Sequence, residues 1–325
     1  MRSSWRIPFH LILFTAVLLF WSVVPGQAEP RISIIMTQQS GTYQDVRKGF
    51  QQYLDKQGIA VEYDIRNFEG PVQETDAVLQ AIKATNPSLI LTLGSPATEA
   101  VIREVKNIPI IAGMIMNEAE LTKGENATGI VLEFPLQTHI SWIQKLLPQK
   151  KTIGALFNPR ENTGTIEQAR RIIEDSGLTF YAKKVETPRD LPDALDSLPG
   201  NADVLLGLTD SVVFSPETVK GILLFSFRNR IPFVGLSTSW VKAGAVYALD
   251  RDYVDIGVQC GELAEQVIKG VNIHTLKPQS PRKVLYALNL NSINHMHLNL
   301  SDGVIRGAHP VFEYATRRYD EKSTD

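Results

Sequence analysis

Five short polar turns hold the residues of this chain best suited to gripping a small charged molecule. They are Thr37-Gln38-Gln39-Ser40-Gly41 with Tyr43 close behind, Gly94-Ser95-Pro96-Ala97-Thr98, Asn158-Pro159-Arg160-Glu161-Asn162, Thr209-Asp210-Ser211, and Ser237-Thr238-Ser239-Trp240. In the second of these a proline early in a helix, flanked by two hydroxyls, leaves backbone N–H groups pointing outward. Such a helix start favours an anion such as a carboxylate. The competing reading is ordinary helix capping by Ser95. Asp210 is the acid best placed to pair with a ligand ammonium, and the alternative there is an N-cap for a helix starting near Ser215. Tyr43 and Trp240 could sandwich a flat or apolar group, or could simply pack. Glu161 and Asn162 are weaker candidates, equally explained by a solvated loop.

These residues suit binding better than catalysis. The sequence has no Walker A pattern, no Gly-x-Gly-x-x-Gly, no Gly-x-Ser-x-Gly elbow and no zincin helix. Gly94-Ser95-Pro96-Ala97 lacks the second glycine that a serine nucleophile elbow needs. His295-Met296-His297 would put two imidazoles on one face of a strand, a spacing that suits a metal, but no acid or cysteine is at hand and packing histidines are the expectation. No catalytic residue, metal or cofactor is therefore expected. The net charge of -2, with both signs interspersed, gives no basic stripe for nucleic acid. Cys260 is the single cysteine, so no intrachain disulfide can form; with Ile256, Leu263 and Val267 it falls on one side of a helical pattern and reads as a small buried residue.

The turns must be positioned by something, and the surrounding pattern says what. Short β-branched runs alternate with segments of helical period, the signature of parallel strands joined by helical crossovers. Strands are expected over 32–36, 61–67, 89–93, 108–114 and 128–132, then over 152–157, 179–185, 203–208 and 232–236, with further strands at 245–249 and 284–290. Two successive sets of similar size indicate two doubly wound Rossmann-like α/β lobes. The expected division is residues 29–138 plus about 247–283 for the first lobe and 139–246 plus about 284–315 for the second, with a flexible tail at 316–325. Ahead of them, Arg2 and Arg6, an apolar run over 7–24 and the small residues Gly26-Gln27-Ala28 read as an export signal cut after Ala28, an uncleaved anchor being the alternative. In open α/β sheets ligands sit beyond the carboxyl ends of the strands, which is where all five turns fall.

The run Pro87-Ser88-Leu89-Ile90-Leu91-Thr92-Leu93-Gly94-Ser95-Pro96-Ala97-Thr98, followed by Ile108-Pro109-Ile110-Ile111, resembles the first-lobe signature of the ABC-transporter substrate-binding family that includes tryptophan- and tyrosine-binding members. Leu146-Leu147-Pro148 with Ile153-Gly154-Ala155-Leu156-Phe157-Asn158-Pro159-Arg160-Glu161-Asn162 is similar to its second-lobe entry. Val241-Lys242-Ala243-Gly244-Ala245, Asp252-Tyr253 and Gly257 are similar to its late crossover, and Asn289-Leu290-Asn291 to its closing strand. The resemblance spans about residues 31 to 313. It implies a type I periplasmic binding protein: two lobes joined by three crossings, a monomer in the periplasm that closes on a small ligand and hands it to an ABC permease in the inner membrane. It also implies that Ser95 to Thr98 hold a ligand carboxylate and that Asp210 fills the acidic position of the second lobe. The implied ligand is an aromatic or branched amino acid or a related carboxylate. Two departures stand out: Val131-Leu132-Glu133-Phe134-Pro135 replaces a small polar and acidic pair, and Ser237-Thr238-Ser239-Trp240 replaces an acid-containing stretch. A sensor feeding a membrane receptor is the alternative function, with an exported hydrolase behind it.

Overall fold

The computed structural model describes residues 29–68 and 72–313, and the expected export signal and tail lie outside the described residues. The first lobe is built from β1 (Arg31–Met36), α1 (Gly41–Lys56), β2 (Glu62–Asn67), α2 (Val72–Thr85), β3 (Leu89–Leu93), α3 (Ser95–Glu104), β4 (Ile110–Ile115) and β5 (Ala127–Val131). Its five strands are parallel in the order β2-β1-β3-β4-β5. The interior strands β3 and β4 are buried at every residue, and β1 at all but its first, as strands covered on both faces must be. The edge strand β2 carries Glu62, Asp64 and Arg66 instead.

The chain then enters a second lobe through α4 (Leu136–Leu146), β6 (Thr152–Phe157), α5 (Pro159–Asp175), β7 (Thr179–Lys184), α6 (Leu191–Asp196), β8 (Val204–Leu206), α7 (Val219–Asn229), β9 (Phe233–Gly235), α8 (Thr238–Ala243) and β10 (Tyr247–Arg251). It returns to the first lobe as α9 (Tyr253–Ile268) and finishes as β11 (Val284–Asn289), α10 (Leu290–His295), α11 (Asp302–Gly307) and β12 (Val311–Phe312). The second sheet has seven strands in the order β12-β11-β10-β9-β8-β6-β7, with β11 antiparallel to β10 and the other pairs parallel. The expected α/β class with two doubly wound lobes is what the chain adopts.

One boundary differs. β10 pairs with β9 on one side and β11 on the other, so it belongs to the second sheet, whereas the sequence division put residues from 247 onward in the first lobe. The physical reason is that a strand's partner is set by long-range pairing, which its own composition does not reveal. α9 does pack on the first lobe, against α1, and two glycines allow it. A Cβ on Gly49 would sit 2.0 Å from the Val254 carbonyl oxygen, and one on Gly257 would sit 2.0 Å from that of Val46. The two backbones are in contact, which only residues without a side chain permit. Cys260 is fully buried on this helix, in one core with Ile256 and Leu263, as its spacing indicates.

Three segments cross between the lobes: 132–135, 251–252 and 276–283. They are tied to one another near the lobe boundary. Arg251 Nε donates to the Leu132 carbonyl at 2.5 Å, the Gln279 N–H donates to Gly129 O at 2.9 Å, and the Val131 N–H donates back to Gln279 O at 2.9 Å.

Candidate functional site

Each lobe has one place where the strand order reverses, and ligands of open α/β sheets bind at such switch points. In the first lobe it lies between β1 and β3, and in the second between β6 and β8. The turns that follow these four strands are the ones that begin at Thr37, Gly94, Asn158 and Thr209. The topology therefore brings the candidate turns together in pairs.

In the first lobe the pair is tightly assembled, and among the described residues it leaves one donor of the helix start, the Ser95 N–H, without a partner. Gly94 has φ 100°, donates its N–H to Gly113 O at 2.9 Å and is the N-cap of the ten-residue α3, with no side chain of its own to cap the helix. Ser95 is thus the first helical residue, half-buried, and the capping reading does not describe it. A Cβ on Gly94 would lie 2.6 Å from Thr37 Oγ1 and 2.8 Å from Tyr43 Oη, so these two side chains close directly over the helix start. Thr37 Oγ1 also accepts from the Ala97 N–H at 3.2 Å. Burial pushes the Tyr43 phenol above its ordinary range, which keeps it a neutral hydrogen-bonding group. Gln38 and Ser40 lie on the exposed side of the same loop, Ser40 Oγ 3.3 Å from Thr42 Oγ1. Thr98 differs from the expectation: it is fully buried, and its hydroxyl donates to Gly94 O at 2.9 Å with Thr92 Oγ1 also at 2.9 Å. Its side chain ties the turn to β3.

In the second lobe the same position is a closed knot. The buried Asp210 carboxylate accepts from the Asn158 N–H at 2.6 Å, Asn162 Nδ2 at 2.9 Å, the Val212 N–H at 3.1 Å and the Val213 N–H at 2.9 Å. An ionised carboxylate has about four lone-pair sites, and all four are taken. Within the lobe this acid staples the β6 and β8 turns together. Asn158 caps α5 by accepting from the Arg160 N–H at 3.0 Å and donates Nδ2 to Val185 O and Glu186 O, each at 3.0 Å. Glu161 accepts from the Ser211 N–H at 2.8 Å and from its hydroxyl. Ser237 precedes α8 without capping it by its side chain. Trp240 packs edge-on to Phe214 and Phe233, with centroids 5.8 and 5.6 Å away, and with Phe214, Pro216 and Val219 lines a cavity of about 310 Å³. Tyr43 and Trp240 stand in separate lobes, each held by its own neighbours.

The crossings hold charged residues that were not singled out. The Arg251 guanidinium stacks 4.9 Å from the centre of the Phe134 ring. It also bonds the Tyr253 side chain, and burial lowers its proton affinity. His139, edge-on to Phe134 at 6.2 Å, has its pKa pushed down to about 4, first by burial and then by Arg251. The available signal was Asp250-Arg251-Asp252, three charges directly after an apolar strand. The two strand-borne histidines, by contrast, are not on a strand. His295 ends α10, stacks on Phe227 with centroids 3.6 Å apart, and places Nε2 3.0 Å from Phe227 O. Among the described residues no group of three His, Cys, Asp or Glu is placed to hold a metal, and no helix is long and apolar enough to cross a membrane.

Comparison with known proteins agrees with this geometry. The chain is 25% identical over 240 residues to the tyrosine-binding protein of Clostridioides difficile, covering 70% of this chain and 69% of that one. The open, ligand-free structure of a substrate-binding protein with adhesive properties from Clostridium difficile superposes with a TM-score of 0.73 at 18% identity, covering 87% of this chain and 99% of that one. An ABC domain in complex with L-Trp from Streptococcus pneumonia gives 0.57 at 21% identity, covering 88% and 100%. The profile of the ABC transporter substrate binding proteins matches residues 31–312. The chain belongs to that family, the non-catalytic, extracytoplasmic solute-binding components of ABC importers, with the type I periplasmic binding protein fold.

Proposed function

We propose that this protein captures a small solute bearing a carboxylate, an aromatic or branched amino acid or a close relative, and delivers it to its permease. The observation that carries the reading is the start of α3, where among the described residues the Ser95 N–H is left without a partner beneath Thr37 and Tyr43, at the switch point of the first sheet. The Ser95 N–H and the helix dipole together favour an anion there by about 0.3–1 kcal/mol, more when water is excluded. The tyrosine-binding and L-Trp-bound relatives support the amino acid class, and Tyr43 supplies an aromatic surface beside the helix start. Residues 1–28 would direct export and be removed after Ala28, leaving the two lobes free in the periplasm. Capture needs no bond-making: solute settles on one lobe, and bending of the three crossings brings the other onto it, so that the closed form is populated only by differential contacts.

A thermal-shift screen of the chain from residue 29 onward tests this. Amino acids, purines, sugars, short peptides and small carboxylates would be added singly. A ligand at about a hundred times its dissociation constant stabilises the folded state by roughly 2.7 kcal/mol. A shift with a carboxylate-bearing probe is the expected result, and a shift confined to sugars or purines would overturn the reading.

A further inference from the structure

We propose that Arg251 is a ligand-binding residue: its guanidinium meets the solute carboxylate from the hinge side and sets the preference for acids over their neutral amides. This rests on the solute-binding reading above and assigns the charge within that same site.

The argument starts from two arginines on neighbouring crossings. Arg282 is matched: its fork bonds Asp255 through Nε at 3.0 Å and Nη2 at 3.1 Å, and Glu262 through Nη1 at 2.9 Å. Arg251 is not. Among the described residues no carboxylate forms an ion pair with it, although it is the more deeply buried of the two. Asp250, its chain neighbour, is taken by the Arg251 backbone N–H at 2.8 Å and by the Thr238 hydroxyl at 2.8 Å. Asp250 and Glu133 act on the guanidinium only from beyond contact range. Holding a cation away from water without a countercharge costs stability, and the cost is offset when an anion arrives.

The placement suits that arrival. Nε is fixed on Leu132 O and one face lies on Phe134, which orients the plane of the fork. A guanidinium has five N–H donors, so a Leu132 bond and a Tyr253 bond leave capacity for a bidentate carboxylate. Tyr253 bonds Arg251, and Tyr43 Oη would lie 2.8 Å from a Cβ on Gly94, so one neutral phenol flanks Arg251 and another the α3 start. Because Arg251 ends a strand of the second sheet and the turn belongs to the first, one carboxylate held by both would link the lobes.

The test uses L-tyrosine, L-tryptophan and L-leucine, each beside its carboxamide, titrated into wild type, Arg251→Gln and Arg251→Lys by calorimetry. Each pair differs only in the carboxyl group. Wild type should favour the acid; Arg251→Gln should weaken acid binding about 30-fold and leave the amide within about threefold, and Arg251→Lys should fall between them. Loss of acid and amide in equal measure, or an unchanged preference in Arg251→Gln, would overturn the proposal while the solute-binding reading stands. Should the glutamine variant fail to fold, as judged by its unliganded melting, the lysine variant decides: a point charge without the fork should keep only part of the preference. Wild type that binds amides as tightly as acids overturns the Arg251 role alone, and wild type that binds none of the six probes overturns both readings.

Discussion

The two switch points occupy equivalent positions in similar sheets, yet they are built in opposite ways. At the first, a glycine in an unusual conformation opens a helix whose Ser95 N–H has no partner among the described residues, with two hydroxyl-bearing side chains over it, one of them bonded to the Ala97 N–H. At the second, one carboxylate absorbs four donors from two turns. The difference teaches that an acid after a strand is not by itself a ligand group. Satisfying donors at home makes it a fastener, and the lobe that leaves a helix-start donor free is the one that suits a visitor.

The sharpest way to break this contrast is to remove the fastener. Asp210→Ala would strand several buried N–H groups at once, each worth about 1–3 kcal/mol, so urea denaturation should show a loss of about 3–5 kcal/mol. A loss below about 1 kcal/mol would mean that Asp210 is not the knot described. Acid probes the second lobe in another way. His139 on α4 takes a proton near 6.5 when unfolded but only near about 4 when folded. The unfolded chain therefore binds more protons between those values, and stability should fall as pH drops through that window and level off below it, by up to about 3 kcal/mol. His139→Gln should flatten that part of a pH series of melting temperatures, and an unchanged slope would place the acid sensitivity elsewhere.

The first lobe offers two finer tests. Gly94→Ala would force a Cβ against Thr37 and Tyr43 at a positive φ, and should cost about 1–3 kcal/mol while weakening solute binding. Ser95→Ala and Thr98→Ala should then separate cleanly. The serine variant should melt within about 0.5 kcal/mol of wild type and bind about tenfold more weakly. The threonine variant should lose about 1–2 kcal/mol of stability, because its hydroxyl joins Gly94 O to Thr92, and bind nearly as wild type. The reverse pattern would exchange their roles.

Much of this was legible in the sequence because strand and helix periods are local properties. Strands expected at 152–157 and 89–93 form over those residues, and most others shift by one or two at their ends. α8, α10 and α11, each six residues, were too short to carry a period and were not foreseen. The site was only half legible. Sequence position located the turns, since all follow strands, but it could not count hydrogen bonds: Asp210 and Thr98 look like ligand groups until their partners are seen. Arg251 was hidden for the opposite reason, because what distinguishes it is the absence of a nearby countercharge, and that depends on how three distant crossings meet.

The contact between α1 and α9 also bears on how the protein is made. Gly49 and Gly257 press together two helices between which strands β6 to β10 of the second lobe intervene in the chain. The first lobe cannot seal its core until residue 268 has emerged, and in the second β10 waits for β11, at 284–289, to pair along its outer edge. Translation from the N-terminus therefore presents two lobes that both await late segments, a long-range closure that slows folding. A chain that remains open until its last third arrives is one that an export machinery can still thread.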